Sequence, residues 1–432
     1  MTRNQLACSV FAAALSFGTA HAQTTINAGG SSLAAPTYIA EFQAYTKLNP
    51  KVLFNFAAVG SGGGQSAFLT NNITTFSSPP AGTLTYGTIV GTQVDIGASD
   101  ATLSASQLTN PATGSYGTAP NGSTADGPAI QIPTFGVPIT MAYNESKVPT
   151  TAGLTLTDSQ ICGVLSGKIT DWHTLVSTIP AGTTINVTYR SDGSGTSFLT
   201  TQHLNAVCNA TNSNFPVLPV PISKYFITTG TTTGALPTAP ANFTGESGSA
   251  NVAANLVATA GSFGYLSPDY TSIAPLSANT TTLRVAKVKN PLAGNVAYAP
   301  TVVNTQLALS HVGPGSTNAT APATLAAAMD PQNWVPAVPQ TTAGYPIVGY
   351  TTMDLSTCYA NKTAGTAIIK FLTAEYNTAS FVTIIKNNGF APLANTAAAP
   401  YKTAVLNTFL GNTSGYNLNI DNATTCASYA GR

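Results

Sequence analysis

The amino-acid sequence predicts an α/β protein divided into two domains. Strand-like runs alternate with helix-like ones along most of the chain, the arrangement that lays helices over a sheet. The 432 residues exceed the roughly 250–300 at which a single core stops growing. At three strand-to-helix junctions, "GGSSLAAP" (Gly29–Pro36), "VGSGGGQS" (Val59–Ser66) and "RSDGSGTS" (Arg190–Ser197), the same small, hydroxyl-rich composition recurs.

Residues 1–22 stand outside that scheme. Arg3, an apolar run and Ala20-His21-Ala22 have the layout of a secretory signal, with cleavage expected after Ala22 and a periplasmic or extracellular destination. Cys8 precedes the apolar run, whereas a lipid-anchored cysteine would follow it. Next, "TTINAGG" reads as a strand, followed by a helix from about Ser32 to Leu48 with Pro50 past its end. "KVLFNFAAV" and a short helix from about Ser61 repeat the unit, and "TQVDIGASDA" gives a third strand that ends in an aspartate.

"IQIPTFGVPITMAYN" is a longer extended run, and "LTLTDSQICGVLSGKITDWHTL" is helical by its apolar spacing, with Asp158 or Ser159 as cap. "INVTYR" is a strand leading into the helix "SFLTTQHLNAV", and "SANVAANLVATAGSFGYLSPDY" is a helix and then a strand. "TAIIKFLTAEYNTASFVTIIKNNGFAPL" supplies further helix, enough for the chain after about Tyr345 to pack back onto the first unit. The Thr-, Pro- and Gly-rich stretches 76–92, 104–127 and 209–246 read as long surface loops.

Charged residues make up only 7% of the chain, against roughly 25% in ordinary domains. Solubility therefore rests on amides and hydroxyls. Without the signal, 14 basic residues face 14 acidic ones, and no basic stripe is present, so nucleic acid is not an expected partner. Four cysteines follow the signal, Cys162, Cys208, Cys358 and Cys426, none in metal-ligand spacing, and export favours two disulfides. Three pairings are open; Cys162 with Cys208 and Cys358 with Cys426 is the economical one if each pair lies inside one domain.

The three small-residue junctions suit an anion. The first turn of a helix leaves N–H groups without partners and carries partial positive charge, and small residues let an anion come close. Taken singly, each junction is an ordinary cap or turn. Together they change the reading, because Arg190 adds a planar fork suited to a tetrahedral oxyanion and Asp192 can hold that fork in place. Alone, Arg190 and Asp192 would read as a surface ion pair. "GSGGGQS" lacks the lysine of a Walker loop, which disfavours nucleotide hydrolysis. Asp100 beside the anion would repel it unless the ligand carries a proton; phosphate has one to donate and sulfate does not. Its bland reading is a turn cap.

Catalytic signals are thin. His173, His203 and His311 form no H-x-x-x-H pair, no G-x-S-x-G elbow occurs, and Asp95 with Asp100 are too few for a two-metal phosphatase. No metal and no cofactor is expected.

In their order, "GGSSLAAP", "VGSGGGQ", "DIGASDATL", "LSGKITDW", "YRSDGSGTSF", "FGYLSPDY" and "YPIVGYTTMDLSTCY" resemble the periplasmic phosphate-binding proteins of ABC transporters, and among them the DING branch of secreted phosphate binders. The resemblance spans most of the chain after the signal. It implies the type II periplasmic binding protein fold, two α/β domains with mixed sheets closing like a flytrap, joined by crossings near Val137–Tyr143 and Gly344–Val348. Domain 1 would comprise 23–140 and 346–432, and domain 2 would comprise 141–345.

It further implies phosphate held by Ser32, the N–H of Leu33, Ser61 and Asp100 from one side, and by Arg190, Ser194, Gly195 and Thr196 from the other, with Asp192 orienting the arginine. The DING branch also shares the sequential cysteine pairing. "TTINAGG" replaces the Asp-Ile-Asn-Gly start of that branch, and Ser32 stands where the family usually has Thr, keeping the hydroxyl. The expectation is a monomeric, non-enzymatic exported binder of inorganic phosphate that serves an ABC permease or scavenges outside the cell. Its rivals are a secreted phosphatase or phosphodiesterase on the same scaffold and a Thr/Asn-rich adhesin.

Overall fold

The computed structural model describes residues 23–109, 126–271, 283–393 and 399–432. The expected signal, and most of the expected loop 104–127, lie outside them. Strands β1 (Thr24–Gly30), β2 (Val52–Ala57), β3 (Thr85–Tyr86), β4 (Ile96–Ser99), β5 (Ala129–Pro138), β14 (Val348–Ser356) and β15 (Ala391–Pro392) form one sheet in the order β15-β5-β14-β4-β1-β2-β3. A second sheet contains β6 (Thr140–Asn144), β8 (Asn186–Arg190), β9 (Phe243–Glu246), β10 (Ser262–Leu266) and β11 (Arg284–Val285), ordered β11-β6-β10-β8-β9. Strands β7 (Thr155–Leu156), β12 (Lys287–Asn290) and β13 (Val296–Tyr298) make a small third sheet.

The single extended run read in "IQIPTFGVPITMAYN" is shared between two sheets. β5 ends at Pro138 and β6 begins at Thr140; between them the Ile139 N–H donates to Ile347 O at 2.9 Å. The chain leaves the first sheet there and re-enters it at Val348.

Within the first sheet β1 is parallel to β2 and β4, and within the second β8 is parallel to β9 and β10. Parallel strands need both faces covered. Helices Ala35–Leu48 and Lys362–Asn377 cover one face of the first sheet, where Phe42 stacks on Phe54 with ring centroids 4.5 Å apart and meets Phe371 at 5.0 Å. The apolar periodicity that predicted these helices is the stripe that buries Tyr38, Phe42 and Tyr45 on one and Phe371 and Leu372 on the other.

Three local expectations need correction. Thr157, not Asp158 or Ser159, caps the helix Asp158–Leu165: its Oγ1 accepts the Gln160 N–H at 3.2 Å while Gln160 Oε1 accepts the Thr157 N–H at 2.9 Å. The stretch 209–246 is not all surface loop, because it ends in β9 and buries Phe215, Val220, Phe226 and Leu236. The stretch 76–92 contains β3, paired with β2, and is tied down where Asn27 Nδ2 donates to Val90 O at 2.7 Å. The disulfides are Cys162–Cys208 and Cys358–Cys426.

Candidate functional site: a shut cleft between two sheets

Parallel strands end together, so the carboxyl ends of β1, β2 and β4 line one edge of the first sheet, and those of β8 and β9 line one edge of the second. In open α/β sheets this is the edge that holds ligands. Here the two edges face each other across a shut cleft. The Gly62 N–H, in the helix Gly60–Thr70, donates to Gly193 O at 2.7 Å. The Ser249 N–H donates to Ser32 Oγ at 3.1 Å, and Asn251 Nδ2 to Ala81 O at 2.9 Å.

From the first sheet come Ser32, Ser61 and Asp100, all buried. Ser61 Oγ donates to Asp100 Oδ2 at 3.1 Å, and Ser31 Oγ lies 2.9 and 2.7 Å from the two carboxylate oxygens. Leu33 sits at the same turn with its side chain in the core, so any polar role falls to its backbone. Burial pushes the Asp100 carboxyl above its ordinary value, while hydrogen bonds from Ser31, Thr351 and Ser61 and the charge of Arg190 pull the other way.

From the second sheet comes Arg190, the last residue of β8 and 2% exposed. Its Nε and Nη2 donate to Asp192 at 2.6 and 2.5 Å, the bidentate fork anticipated from the sequence. Asp192 also accepts the Gly248 N–H at 3.1 Å. Burial alone would raise Asp192, but the Arg190 charge and these donors together hold it below the usual carboxylate range. With Asp192 on one edge of the fork, Arg190 Nη1 points the other way, toward Thr196 Oγ1 at 3.5 Å and Ser249 Oγ at 3.1 Å.

Ser194 caps the helix Gly195–Val207: its Oγ accepts the Ser197 N–H at 3.1 Å. Gly195 is required there. A Cβ on it would lie 2.5 Å from Ser61 Oγ and 2.5 Å from Asp100 Cβ, both from the opposite side of the cleft. Ser32, Leu33, Ser61, Asp100, Arg190, Ser194, Gly195 and Thr196 are therefore buried around one cleft, with the partly exposed Asp192 at its edge. Two were missed. Ser249, first residue of the helix Ser249–Ala258, bridges Ser32 Oγ and Arg190 Nη1, each at 3.1 Å. Its signal was visible in "GESGSAN", the same small-residue design at a fourth helix start. Ser31 holds Asp100, but nothing in "GGSS" distinguishes its role from that of Ser32.

Among the described residues the three histidines each bond a backbone carbonyl: His173 with Ile179 O, His203 with Pro339 O and His311 with Leu307 O. Among the described residues, no group of three or more His, Cys, Asp or Glu side chains is placed to hold a metal ion, and no helix is long and apolar enough to cross a membrane.

The family model of the PBP superfamily domain matches residues 16–375. Alkaline phosphatase L of Pseudomonas aeruginosa PAO1 is 34% identical over 427 residues, covering 98% of both chains. The solved structure of PfluDING, a high-affinity periplasmic phosphate-binding protein with bound phosphate, is 31% identical, with a TM-score of 0.72 over 95% of this chain and 99% of that one. The chain belongs to the PBP superfamily, in its DING branch. A phosphate-binding protein of Stenotrophomonas maltophilia, 29% identical, superposes with a TM-score of 0.70 over 95% of this chain and 99% of that one. This PBP member thus has the two-lobed periplasmic binding fold, and the two facing sheets are the centres of its lobes.

Proposed function

We propose that the protein binds inorganic phosphate in the cleft as an exported solute-binding protein. The observation that carries this reading is the burial, in one cluster, of hydroxyls and a carboxylate from one lobe with a fixed guanidinium and a helix start from the other. A tetrahedral oxyanion needs donors from several directions, and a small enclosed site supplies them without bulk water. In this reading Ser32 Oγ and the Leu33 N–H donate from one side, and Ser61 Oγ turns its one proton from Asp100 to the ligand. Arg190 Nη1, Ser194, the Gly195 N–H and Thr196 donate from the other, with Asp192 orienting the arginine. Asp100 takes the phosphate proton. The phosphate-bound PfluDING relative supports the assignment of ligand.

The hinge would lie at Ile139 and Ile347, dividing lobes 23–138 plus 348–432 from 140–346, a residue or two from the boundaries expected at 140/141 and 345/346, because Thr140 pairs with Leu266 in the second sheet. The family and the two disulfides support export, with cleavage after Ala22, action as a monomer and delivery to an ABC permease or scavenging outside the cell as the finer proposal.

Calorimetry with phosphate, sulfate and arsenate tests the reading. Phosphate and arsenate should bind with one site per chain and sulfate far more weakly; no heat with phosphate would overturn it. A second reading, phosphate-ester hydrolysis, is favoured by the name of the Pseudomonas aeruginosa relatives. Hydrolysis that persists unchanged in Arg190→Ala would separate it from this cleft.

A further inference from the structure

Lys224 belongs to the second lobe: its carbonyl accepts the Ser194 N–H at 2.8 Å, one residue before the helix Gly195–Val207. Its ammonium, however, reaches across the cleft and donates to Gln65 Oε1 of the first lobe. Gln65 is itself fixed, donating from Nε2 to Ser99 Oγ at 2.9 Å and to Ala101 O, on either side of Asp100. Behind it stands Asp354 of β14, fully buried, with neither carboxylate oxygen accepting a hydrogen bond. The charged groups facing the ammonium are Asp354 and, beyond it, Arg432.

Among the described residues no ionised carboxylate lies within hydrogen-bond reach of this ammonium: Asp100, the other carboxylate of the cleft, is held by Ser31 and Ser61. Arg190 is neutralised by Asp192. Burial pushes Asp354 up to about 8, against the charges of Lys224 and Arg432, so that near neutrality it carries mostly a proton. Lys224 is pushed down to about 8 by burial, with Asp354 only partly opposing. A lysine whose partners lie on the opposite lobe regains water when the lobes part. Shutting the empty cleft therefore leaves Lys224 half-buried, its ammonium drawn part-way out of solvent without a counter-charge supplied.

We propose that Lys224 is a charge gate that disfavours closure of the empty cleft and permits it when an anion is enclosed. This rests on the reading of the cleft as a phosphate site, since the anion supplies the missing charge. The gate makes capture conditional, so that the empty and loaded forms differ in shape.

Closure lowers the affinity of Lys224 for its proton, so closure releases protons, and raising the pH from 7 to 9.5 should favour the shut form. The test is the distance distribution between spin labels on Thr174→Cys and Thr366→Cys, read by electron–electron double resonance on phosphate-free protein. At pH 7 Lys224→Met should raise the shut-to-open ratio at least about fivefold, below the ceiling of roughly 300-fold that a shift of this size sets. Lys224→Arg, which keeps the charge, should stay open. Wild type should shut progressively toward pH 9.5, as Lys224 loses its proton and Asp354 ionises opposite it, and Lys224→Met should show no such rise in the shut form. Equal openness of Lys224→Met and wild type, or a wild type already shut at pH 7, would overturn the gate. Should these shifts appear while added phosphate shuts neither protein, the gate stands and the phosphate reading fails.

Discussion

Replacing Asp100 by asparagine isolates the proton-reading role of that side chain. The carboxylate is 2% exposed and accepts hydroxyls from Ser31 and Ser61 at 2.7 to 3.1 Å. Phosphate can donate its proton to the remaining lone pairs, whereas sulfate places an acceptor against an acceptor. Leaving a buried acceptor unpaired costs about 1–3 kcal/mol, and more for a charged one. Two unit charges about 3 Å apart at an effective dielectric near 20 repel by a further ~5 kcal/mol, a term that a shared proton relieves for phosphate. Even half of that total corresponds to a preference for phosphate of roughly a thousandfold.

Asparagine keeps the shape, and the Ser31 and Ser61 hydroxyls can still donate to its carbonyl while its NH2 group donates to the ligand. The phosphate-to-sulfate ratio, measured by calorimetry at fixed pH and ionic strength, should fall at least a hundredfold, with sulfate binding unchanged or tighter. Because burial raises Asp100, acidification should protonate it, and wild-type sulfate affinity should rise as the pH falls while that of Asp100→Asn stays flat. An unaltered ratio in a variant with unaltered melting would refute the role assigned to Asp100.

Three further outcomes are expected. Gly195→Ala places a methyl group against Ser61 and Asp100, so phosphate affinity should drop at least a hundredfold while the melting temperature shifts little; native-like affinity would show that the cleft does not shut this closely. Glu41 and Glu375 are buried together with no hydrogen-bond partner on any carboxylate oxygen, and burial raises both, Glu375 raising Glu41 further. The folded state thus holds protons that the unfolded chain gives up near 4.5, and stability should fall as the pH rises above that value. Glu375→Gln should flatten the slope by at most about 1.4 kcal/mol per pH unit, and identical slopes in urea melts from pH 5 to 8 would contradict it. Replacing Cys358 and Cys426 by serine opens a loop of 68 residues, which chain-entropy arithmetic values at roughly 4 kcal/mol; a midpoint unmoved in chemical denaturation would show that the bridge does not constrain the unfolded chain.

Much of the cleft was legible because its chemistry is local. A strand end, small residues and a helix start occur within eight residues at Gly29–Pro36, Val59–Ser66 and Arg190–Ser197, and each can be read without knowing what it faces. The pairing of Arg190 with Asp192 was legible for the same reason, two residues being within reach of one strand end.

Illegible were the relations between distant segments. Lys224 lies in a Thr- and Pro-rich stretch with no periodicity, and its importance arises only because the fold sets it against Gln65. β9 is a four-residue strand, "FTGE", that contains a glycine and lies parallel to β8; such a strand owes its existence to its neighbour rather than to its own propensity. Thr157 escaped because an acidic residue and a serine just after it compete for the same cap in sequence, whereas the reciprocal bond with Gln160 decides it in space.

The most direct measurement is a crystal structure of the protein grown with phosphate. One tetrahedral anion should lie between the lobes, accepting from Arg190, Thr196, Ser32 and Ser61 and donating to Asp100, each within about 3.2 Å. Phosphate seated elsewhere, or a shut cleft filled only by its own side chains at saturating phosphate, would contradict the account.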